Sequence, residues 1–423
     1  MHSYTVIGIT DMPCQYLAPE VAEIVSRGHF FSGGRRQHTL VEPLLPQGYV
    51  WTDITVPVSD VIAAYEAIPG NDEIIIFASG DPLFYGFAVT LKRLLPKAGI
   101  RVFPAFNSLQ MLAHRLLLPY HDLRAVSLTG RPWQEFDRAL IEHATMIGVL
   151  TDRSHTPDAI ARRMIEYGYI YYTMHVGQHL GNPDSESVLT MSLKEAARRE
   201  FQMPNCVIVE AIPQDKMTAQ QFDAWMSRSF FGIDDSQFLK LDGRENMITK
   251  MPIRLLALHE LELPRRHVLW DIGACTGSVS IEARLRFPHL QVEAFEIRDE
   301  CESIILKNAR ALGCPGISLH IGDFLTANFD DIPKPDAVFI GGHGGCLHDI
   351  MVVVNRYLKL RGCIVMNCVS SPIVDGMRGD RPGTRQLWQD ACAALQLVDE
   401  VPTRVVIDNN NPIEILKCQK TLL

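Results

Sequence analysis

The sequence predicts an α/β protein of two domains, and three observations lead to this expectation. The chain has 423 residues, more than the roughly 100 to 200 of a usual domain. Short β-branched runs alternate with helical patterns, which is typical of βαβ units and mostly parallel sheets. This alternation fades once, between about 212 and 246, where Pro213 and polar neighbours indicate a linker. We therefore expect domains over 1–211 and 246–423 with a linker over 212–245.

Apolar runs place the predicted elements along both halves. In the first half, the strands are expected at 4–9, 73–78, 100–104, 146–150 and 206–210, with helices that include 156–167 and 193–201. In the second half, a helix at 253–262 precedes strands at 268–272, 291–296, 318–321, 337–340 and 363–367. The two series are independent, and neither repeats the other in sequence.

Composition narrows the class of protein. The chain is 47% hydrophobic and 21% charged, as ordinary globular proteins are. Its apolar runs are too short to cross a bilayer, and its first residues are typical of a strand and not of a signal peptide. A formal net charge of −9 disfavours binding to nucleic acid. Ten cysteines without a C-x-x-C pair predict no metal site and suit a reducing cytoplasm.

A strand, a glycine turn and a helix follow one another in the second half, in the run VLWDIGACTGSVSIEARL. Gly273 and Gly277 in this turn would let the backbone pass close to a ligand at the start of the helix. About twenty residues later the strand QVEAFEI ends in Glu296, whose carboxylate could accept ribose hydroxyls. The turn alone could be purely structural, but with the acid it predicts a nucleoside site.

The spacing of the glycines favours a ligand without phosphates. The turn has the form G-x-x-x-G, which lacks the tighter pattern of pyrophosphate-binding sites, and Asp271 precedes it. This combination predicts S-adenosylmethionine, with Asp271 either holding its amino group or capping the turn. Gly322 and Asp323 end the next strand, where Asp323 could meet the adenine amino group or could simply begin a helix.

A second glycine-rich segment, IGGHGG at 340–345, follows another strand. Gly341 and Gly342 would let a flat, bulky substrate lie against the backbone, although a loop capping a helix is the alternative. His343 and Gly344 are the catalytic candidates: His343 could orient a substrate carboxylate, shuttle a proton or merely face solvent.

Two basic residues near the start of the first helix of this half are expected to project on a common face. Lys250 and Arg254 lie one helical turn apart, so they could clasp acidic substituents of a substrate or be ordinary surface charges.

From about Ile248 to its end, the chain resembles the C15-methylating, decarboxylating domain of cobalamin biosynthesis, a Rossmann-like class I methyltransferase. The matching segments are Thr249-Lys250, DIGACTGSVSIEA, Glu296, Gly322-Asp323 and PDAVFIGGHGG. One departure is Cys275, where that family usually has a small residue such as glycine. The resemblance implies S-adenosylmethionine at the turn and a substrate beside Thr249 and Lys250.

In the first half, the run EIIIFASGDPLFYGFA ends a strand in a turn set by Asp81 and Pro82. Open α/β sheets bind ligands at such strand ends, although Ser-Gly-Asp-Pro alone is a common turn. The whole string resembles the donor-binding signature of the tetrapyrrole methylase superfamily (class III), and specifically of its C5-methylating precorrin branch. Further matches lie at 33–36, 104–122, 127–131 and 150–152.

The resemblance implies roles for seven residues of the first half. Arg36 and Arg131 would face an acidic substrate, although each could also be a plain surface arginine. S-adenosylmethionine would be surrounded by Gly80, Asp81, Leu83, Asn107 and Ser108.

The loop after the first strand departs from that family. The family has G-x-G-P-G at this point, whereas this chain has GITDMPCQYLAPE. Gly8 is kept, Thr10 and Asp11 add bulk, and Pro13 stiffens the loop.

Together the halves resemble the fused precorrin C5,C15-methyltransferases, which also decarboxylate an acetate arm at C12. Reduced tetrapyrrole carbons are already nucleophilic, so such an enzyme mainly aligns donor and acceptor. Decarboxylation needs a less polar pocket, which we expect at the C-terminal glycine loop. The resemblance implies a small tetrapyrrole substrate, with or without cobalt, and a homo-oligomer. The alternatives are an RNA or protein methyltransferase, a noncatalytic tetrapyrrole carrier and, less favoured, a nicotinamide oxidoreductase.

Overall fold

The structure is a computed structural model, and it describes residues 2–70, 72–227, 231–369, 383–407 and 412–421. The chain forms two compact units. The N-terminal unit comprises Met1–Pro132, Ala144–Arg163 and Tyr172–Pro213. The C-terminal unit comprises Trp133–His143, Met164–Tyr171 and Gln214–Leu423.

The first sheet of the N-terminal unit is entirely parallel and has the order β3-β2-β4-β1-β5. Successive residues of its central strands enter cores on opposite faces, as Val6 and Ile7 do, because parallel strands are covered on both sides. Its strands are β1 Ser3–Ile9, β2 Phe30–Gly33, β3 Val50–Asp53, β4 Glu73–Ser79 and β5 Gly99–Phe103.

The second sheet of this unit has the order β6-β7-β10-β8-β9. Only the β6–β7 pair is parallel, and the three other pairs are antiparallel. The strands are β6 Arg124–Ser127, β7 Met146–Leu150, β8 Tyr172–Gln178, β9 Ser187–Ser192 and β10 Asn205–Ala211.

The C-terminal unit is built on a sheet of order β13-β12-β11-β14-β15-β18-β16, with β17 paired to β18. The first five strands of that order are parallel, and β18 is antiparallel to β15. Leu269 and Trp270 enter opposite cores. The strands are β11 Val268–Ile272, β12 Gln291–Glu296, β13 Ile317–Ile321, β14 Ala337–Ile340, β15 Cys363–Val369, β16 Val398–Asp399, β17 Thr403–Val405 and β18 Ile413–Gln419.

Fourteen α-helices cover these sheets among the described residues, and none of them is long and apolar enough to cross a membrane. They are α1 Pro19–Arg27, α2 Arg35–Val41, α3 Val58–Glu66, α4 Phe87–Leu94, α5 Ser108–Leu116, α6 Gln134–Ile141, α7 Pro157–Glu166, α8 Leu193–Ala196, α9 Ala219–Met226, α10 Met251–Glu260, α11 Ser278–Arg286, α12 Asp299–Ala311, α13 Leu347–Tyr357 and α14 Thr384–Ala394.

The predicted α/β class is confirmed, and every predicted strand is present within two residues of its expected ends. Two expectations about the first half were wrong. Its second sheet is mostly antiparallel, and the helix expected at 193–201 ends at Ala196. Because β10 begins at Asn205, residues 197–204 form the connection between the short helix and this strand. The division at 212–245 stays a prediction.

The strand orders fix where ligands can bind. In the C-terminal sheet, β11 lies between β12 and β14, so the chain runs outward in both directions from β11. The carboxyl ends of strands at such a reversal form the usual crevice of open α/β sheets. In the N-terminal unit β1 lies between β4 and β5, and the carboxyl ends of β1 and β4 face the same edge.

Candidate active sites

A cavity of about 610 Å³ opens at the carboxyl ends of β11, β12 and β14 in the C-terminal unit. It brings together ten of the twelve residues predicted for this half: Asp271, Gly273, Glu296, Asp323, Thr249, Lys250, Gly341, Gly342, His343 and Gly344. Its size suits a ligand of the dimensions of a nucleoside with a further acyl or amino acid group.

Two glycine loops meet backbone to backbone beneath this cavity. Gly273 has φ +77°, and a Cβ on it would lie 2.8 Å from the Gly342 nitrogen. A Cβ on Gly341 would lie 3.0 Å from the Gly273 oxygen. Side chains at these positions would push the two loops apart, so the sequence DIGACTG and the sequence IGGHGG depend on each other's glycines.

Gly277 was predicted to approach the ligand, but it does not line the cavity. It has φ +74°, and a Cβ on it would lie 3.0 Å from Ile305 Cγ2. The residue therefore allows the turn into α11 to pack on α12, and it does not face a ligand.

Asp271 is a buried carboxyl group with one unused oxygen. Its Oδ2 accepts hydrogen bonds from the backbone and hydroxyl of Ser280, at 3.1 and 2.5 Å. Its Oδ1 has no partner among the described residues. Burial raises the pKa of Asp271 to about 6, although the hydrogen bonds from Ser280 act in the opposite direction. The unused oxygen at the cavity wall is suited to bind a cationic group of a ligand.

Glu296 is also buried but is more fully bonded. Its Oε2 accepts from the Cys275 backbone at 2.8 Å, and its Oε1 accepts from the backbone and guanidinium of Arg298, both at 3.0 Å. A carboxylate has about four acceptor positions, so one position on Oε2 remains for a ligand hydroxyl. The turn is intact although Cys275 has φ +51°, a value that is more usual for glycine, and its backbone N–H is held by Glu296.

Asp323 caps a helix, as one of the two interpretations of the sequence predicted, and its contact with adenine stays a prediction. Its Oδ1 accepts from the Leu325 backbone at 2.9 Å and caps a short 3₁₀ helix, Phe324–Thr326. The residue is exposed and also lines the cavity.

His343 lies on the second glycine loop. Its Nδ1 accepts a hydrogen bond from the Gly345 backbone at 3.2 Å, so Nε2 carries the proton of the neutral ring. Burial lowers the pKa of His343, which favours the neutral form.

Arg254 cannot serve as the predicted substrate clasp. It is fully buried, and its guanidinium contacts Glu282 and Asp235, both at 3.2 Å. It also donates to the carbonyl groups of Thr249 and Ile233. Lys250 is the N-cap residue before α10, and Arg254, in the first turn of α10, is directed away from the cavity that Thr249 and Lys250 line. The predicted common face of the two basic residues was therefore wrong.

Among the polar residues of this cavity that were not predicted, two have a buried side-chain atom without a partner in the described part of the chain. These atoms are Thr276 Oγ1 and Asn367 Oδ1. Asn367 belongs to β15, next to β14. The general rule that parallel strands end at ligand sites could have identified it.

A second cavity, of about 540 Å³, lies in the N-terminal unit beside the ends of β1 and β4. Four of the seven predicted residues line it, namely Arg36, Gly80, Asn107 and Ser108. Gly80 has φ +63°, and a Cβ on it would lie 2.8 Å from the Asn107 Cα. A Cβ on Gly8 would lie 2.0 Å from the Gly80 oxygen, so these loops also pack through glycine.

Asn107 has a structural part as well. Its side chain accepts from the Gln110 backbone, and the Gln110 side chain accepts from the Asn107 backbone, which forms a capping box at the start of α5. The capping box fixes the backbone of Asn107 and Ser108 against the cavity.

Three residues predicted for the N-terminal unit lie outside the cavity lining, and their roles stay predictions. Asp81 Oδ1 accepts from the Leu83 backbone at 2.8 Å, so the pair closes a turn outside the cavity lining. The Leu83 side chain is 55% exposed. Arg131 also lies outside the lining, donating to Ser127 Oγ at 2.6 Å and lying over the ring of Tyr85, which does line the cavity.

Asp11 is the main residue of this cavity that was not predicted as a site residue. Its Oδ1 lies 3.1 Å from Arg36 Nη1, and its Oδ2 lies 3.5 Å from His179 Nδ1. The only sequence signal was its position in the loop that departs from the G-x-G-P-G pattern.

Both cavities fit S-adenosylmethionine in observable respects. In the C-terminal unit, the orphaned Asp271 Oδ1 suits an ammonium group, and close glycine backbones leave room for a ligand. In the N-terminal unit, the glycine-lined edge offers backbone groups. We find no cluster of three His, Cys, Asp or Glu side chains able to hold a metal ion in the part of the chain that the structure describes.

Comparison with known proteins matches each half to one family model. Residues 16–197 match the model of tetrapyrrole (corrin/porphyrin) methylases. Residues 240–373 match the model of the precorrin methyltransferase domain.

Individual relatives agree with the models. A precorrin-6Y C(5,15)-methyltransferase [decarboxylating] from Sinorhizobium is 31% identical over 87% of this chain and 84% of its own length. A cobalt-precorrin-6B C(15)-methyltransferase (decarboxylating) from Salmonella typhimurium is 35% identical over 44% of this chain and 95% of its own length. The crystal structure of a precorrin-6Y C5,15-methyltransferase from Geobacter metallireducens has 31% identity and a TM-score of 0.39, and the match covers 45% of this chain and 98% of that one. By its likeness over most of both sequences to the Sinorhizobium protein, the chain belongs to the family of decarboxylating precorrin-6Y C5,15-methyltransferases.

Proposed function

We propose that this chain is a bifunctional methyltransferase of corrin-ring biosynthesis that uses S-adenosylmethionine twice on one tetrapyrrole. The N-terminal unit methylates C5, and the C-terminal unit methylates C15 and removes the carboxyl group of the C12 acetate side chain. The substrate is precorrin-6Y or its cobalt form. The observation that carries the proposal is the presence of two separate cavities, each at the carboxyl ends of parallel strands.

In the C-terminal unit, bound S-adenosylmethionine supplies an electrophilic methyl group. Asp271 Oδ1 binds the ammonium group of the donor because it is a buried oxygen without another partner. Glu296 Oε2 accepts from a ribose hydroxyl, and Asp323 accepts from the adenine amino group. These three acids stand at the ends of, or just after, three adjacent strands, β11, β12 and β13.

The glycine loop of the same cavity receives the tetrapyrrole. Gly341, Gly342 and Gly344 carry no side chains, so a flat ring can approach the backbone. Lys250 is exposed at the cavity and attracts the acidic side chains of the ring. Because the protein as a whole is negatively charged, such an anionic substrate needs a local positive charge. Holding the acceptor carbon about 3 to 3.5 Å from the methyl group accounts for much of the catalysis.

Decarboxylation uses the same loop. The C–C bond of the acetate arm breaks, its electron pair enters the π-system of the ring, and carbon dioxide leaves. The remaining carbon then takes a proton. We assign the shuttling of that proton to His343, whose Nε2–H is not used by the loop and which lines the cavity.

The number of donor sites tests the proposal. We expect two molecules of S-adenosylmethionine to bind each chain in calorimetry. Gly273→Ala and Gly80→Ala should each remove one of these sites, because each would place a Cβ within 3 Å of a facing backbone atom at a positive φ. A noncatalytic tetrapyrrole carrier would bind no donor, and a stoichiometry of zero would therefore contradict the proposal.

A further inference from the structure

The loop after β1 carries an acid into the N-terminal cavity. Asp11 is the only carboxylate among the described residues that line this cavity. Its side chain is 13% exposed, so it faces a largely enclosed space. Reduced tetrapyrroles are themselves multiply acidic, and a carboxylate at the wall that receives one would repel it. Attraction of the substrate therefore does not explain the presence of Asp11 in this wall.

The loop holds Asp11 in a fixed position. The buried side chain of Gln15 accepts from the Thr10 backbone at 3.2 Å and donates to the carbonyl groups of Thr10 and Met12, at 2.9 and 2.5 Å. These three bonds brace the two residues that flank Asp11. The loop is thus shaped by a glutamine, where the family pattern would use glycines.

Both carboxylate oxygens of Asp11 have a defined neighbour. Arg36 Nη1 lies 3.1 Å from Oδ1, and Arg36 is fixed in turn by a 3.0 Å hydrogen bond to Ser79 Oγ. His179 Nδ1 lies 3.5 Å from Oδ2, and the His179 side chain is 21% exposed. A proton that reaches Asp11 therefore has an imidazole beside it that connects to solvent.

Methylation of a ring carbon must release a proton. The acceptor carbon forms its new C–C bond with a π electron pair of the ring, while the methyl–sulfur bond breaks and its electron pair stays on sulfur. The positive charge of the sulfonium is thereby transferred to the ring. The ring becomes neutral again when a C–H or N–H bond breaks, its electrons return to the π-system, and the proton leaves.

We propose that Asp11 is the catalytic residue that accepts this proton in the N-terminal unit, and that His179 passes it to solvent. The inference rests on the proposed function of this unit. A carboxylate is basic enough, because the proton leaves a cationic ring and so is strongly acidic. Its negative charge also stabilises the positive ring before the proton leaves. Arg36 holds the carboxylate in place.

The test is steady-state methylation by the full chain carrying Asp11→Asn, which keeps the size of the side chain and removes its basicity. The methylation at C5 should lose at least about 100-fold in kcat, the usual contribution of a general base. KM for the tetrapyrrole should stay unchanged or fall, because the variant removes a charge that repels the acidic substrate, and binding of S-adenosylmethionine should stay unchanged. Binding of S-adenosylmethionine at the N-terminal site reports correct folding of that unit, and methylation at C15 reports correct folding of the C-terminal unit.

Two further variants separate catalysis from structure. Asp158→Asn removes a carboxylate from another aspartate–arginine pair, with Arg162 at 2.5 Å, outside the cavity, and should leave C5 methylation unchanged. Asp11→Ala should regain C5 methylation when formate is added, whereas chloride at the same concentration should have no effect.

The outcomes are distinct. A full kcat in Asp11→Asn, or a change in the tetrapyrrole KM alone, would overturn the role of Asp11 and leave the proposed function standing, since Asp11 would then only position Arg36. If the unaltered chain adds no methyl group at C5, the proposed function of the N-terminal unit fails together with the role of Asp11.

Discussion

Asp271 links the stability of the C-terminal unit to its donor site. Burial raises its pKa from 3.8 to about 6, so the folded chain binds this proton more tightly than the unfolded chain does. The stabilising effect of the proton is complete below about pH 4 and is lost as the pH rises through 6. Near neutral pH the ionised group therefore costs the fold about 3 kcal/mol.

Asp271→Asn should accordingly stabilise the C-terminal unit near neutral pH, by up to about 3 kcal/mol, because the amide resembles the protonated acid. The gain should shrink as the pH approaches 4. The same change should weaken donor binding, since the amide cannot neutralise an ammonium group. Chemical unfolding at several pH values and calorimetric titration measure the two effects, and a variant less stable than the parent near pH 7 would contradict this account.

Glu296→Ala should weaken donor binding at the C-terminal site. The loss of one charge-assisted hydrogen bond is worth about 1.5 to 3 kcal/mol, which is about tenfold to a hundredfold in affinity. Glu300→Ala removes an exposed acid from α12 and is the matched control. Calorimetry of the full chain checks this prediction, and an unchanged affinity in Glu296→Ala would mean that the acid only holds Cys275 and Arg298.

For individual residues, the sequence indicated which residue types stand near the cavities better than it indicated which way their side chains point. Asp271 and Glu296 could be predicted because the strand pattern fixes where they stand. Arg254 could not be placed, because a spacing of four residues does not show where the helix begins or which of its sides is buried. The partners that bury it, Glu282 and Asp235, are 28 and 19 residues away in sequence.

The glycine loops are the elements on which each cavity depends. Gly273→Ala would force a Cβ to within 2.8 Å of Gly342 at a positive φ, whereas a Cβ on Gly383, before α14, would meet no atom of the described residues within 4 Å. We expect Gly273→Ala to abolish C15 methylation and Gly383→Ala to leave it unchanged. The rate of C15 methylation in the two variants decides this, and equal rates would show that the loops do not need close contact.

Whole elements were predictable where hydrophobic patterns were long. The parallel strands β1, β4, β11, β12 and β14 are buried on both faces and so appear as continuous apolar runs. The edge strand β9, with the sequence SVLTMS, is half-exposed and has no such run. Its antiparallel pairing to β8 depends on contacts that local sequence does not determine.

For the whole molecule, the account requires that the two sites work separately. Gly80→Ala should abolish C5 methylation and spare C15 methylation with decarboxylation, and Gly273→Ala should do the reverse. The reason is that each glycine shapes the cavity of its own unit. Product analysis for each variant checks this, and the loss of both methylations from either single change would indicate one shared site.

The most direct test of the central claim is mass spectrometry of a precorrin-6Y-type substrate after incubation with the purified chain and S-adenosylmethionine. The account predicts a product that has gained two methyl groups and lost one carbon dioxide. A substrate recovered with its original mass, or a product that has gained methyl groups and kept every carboxyl group, would contradict it.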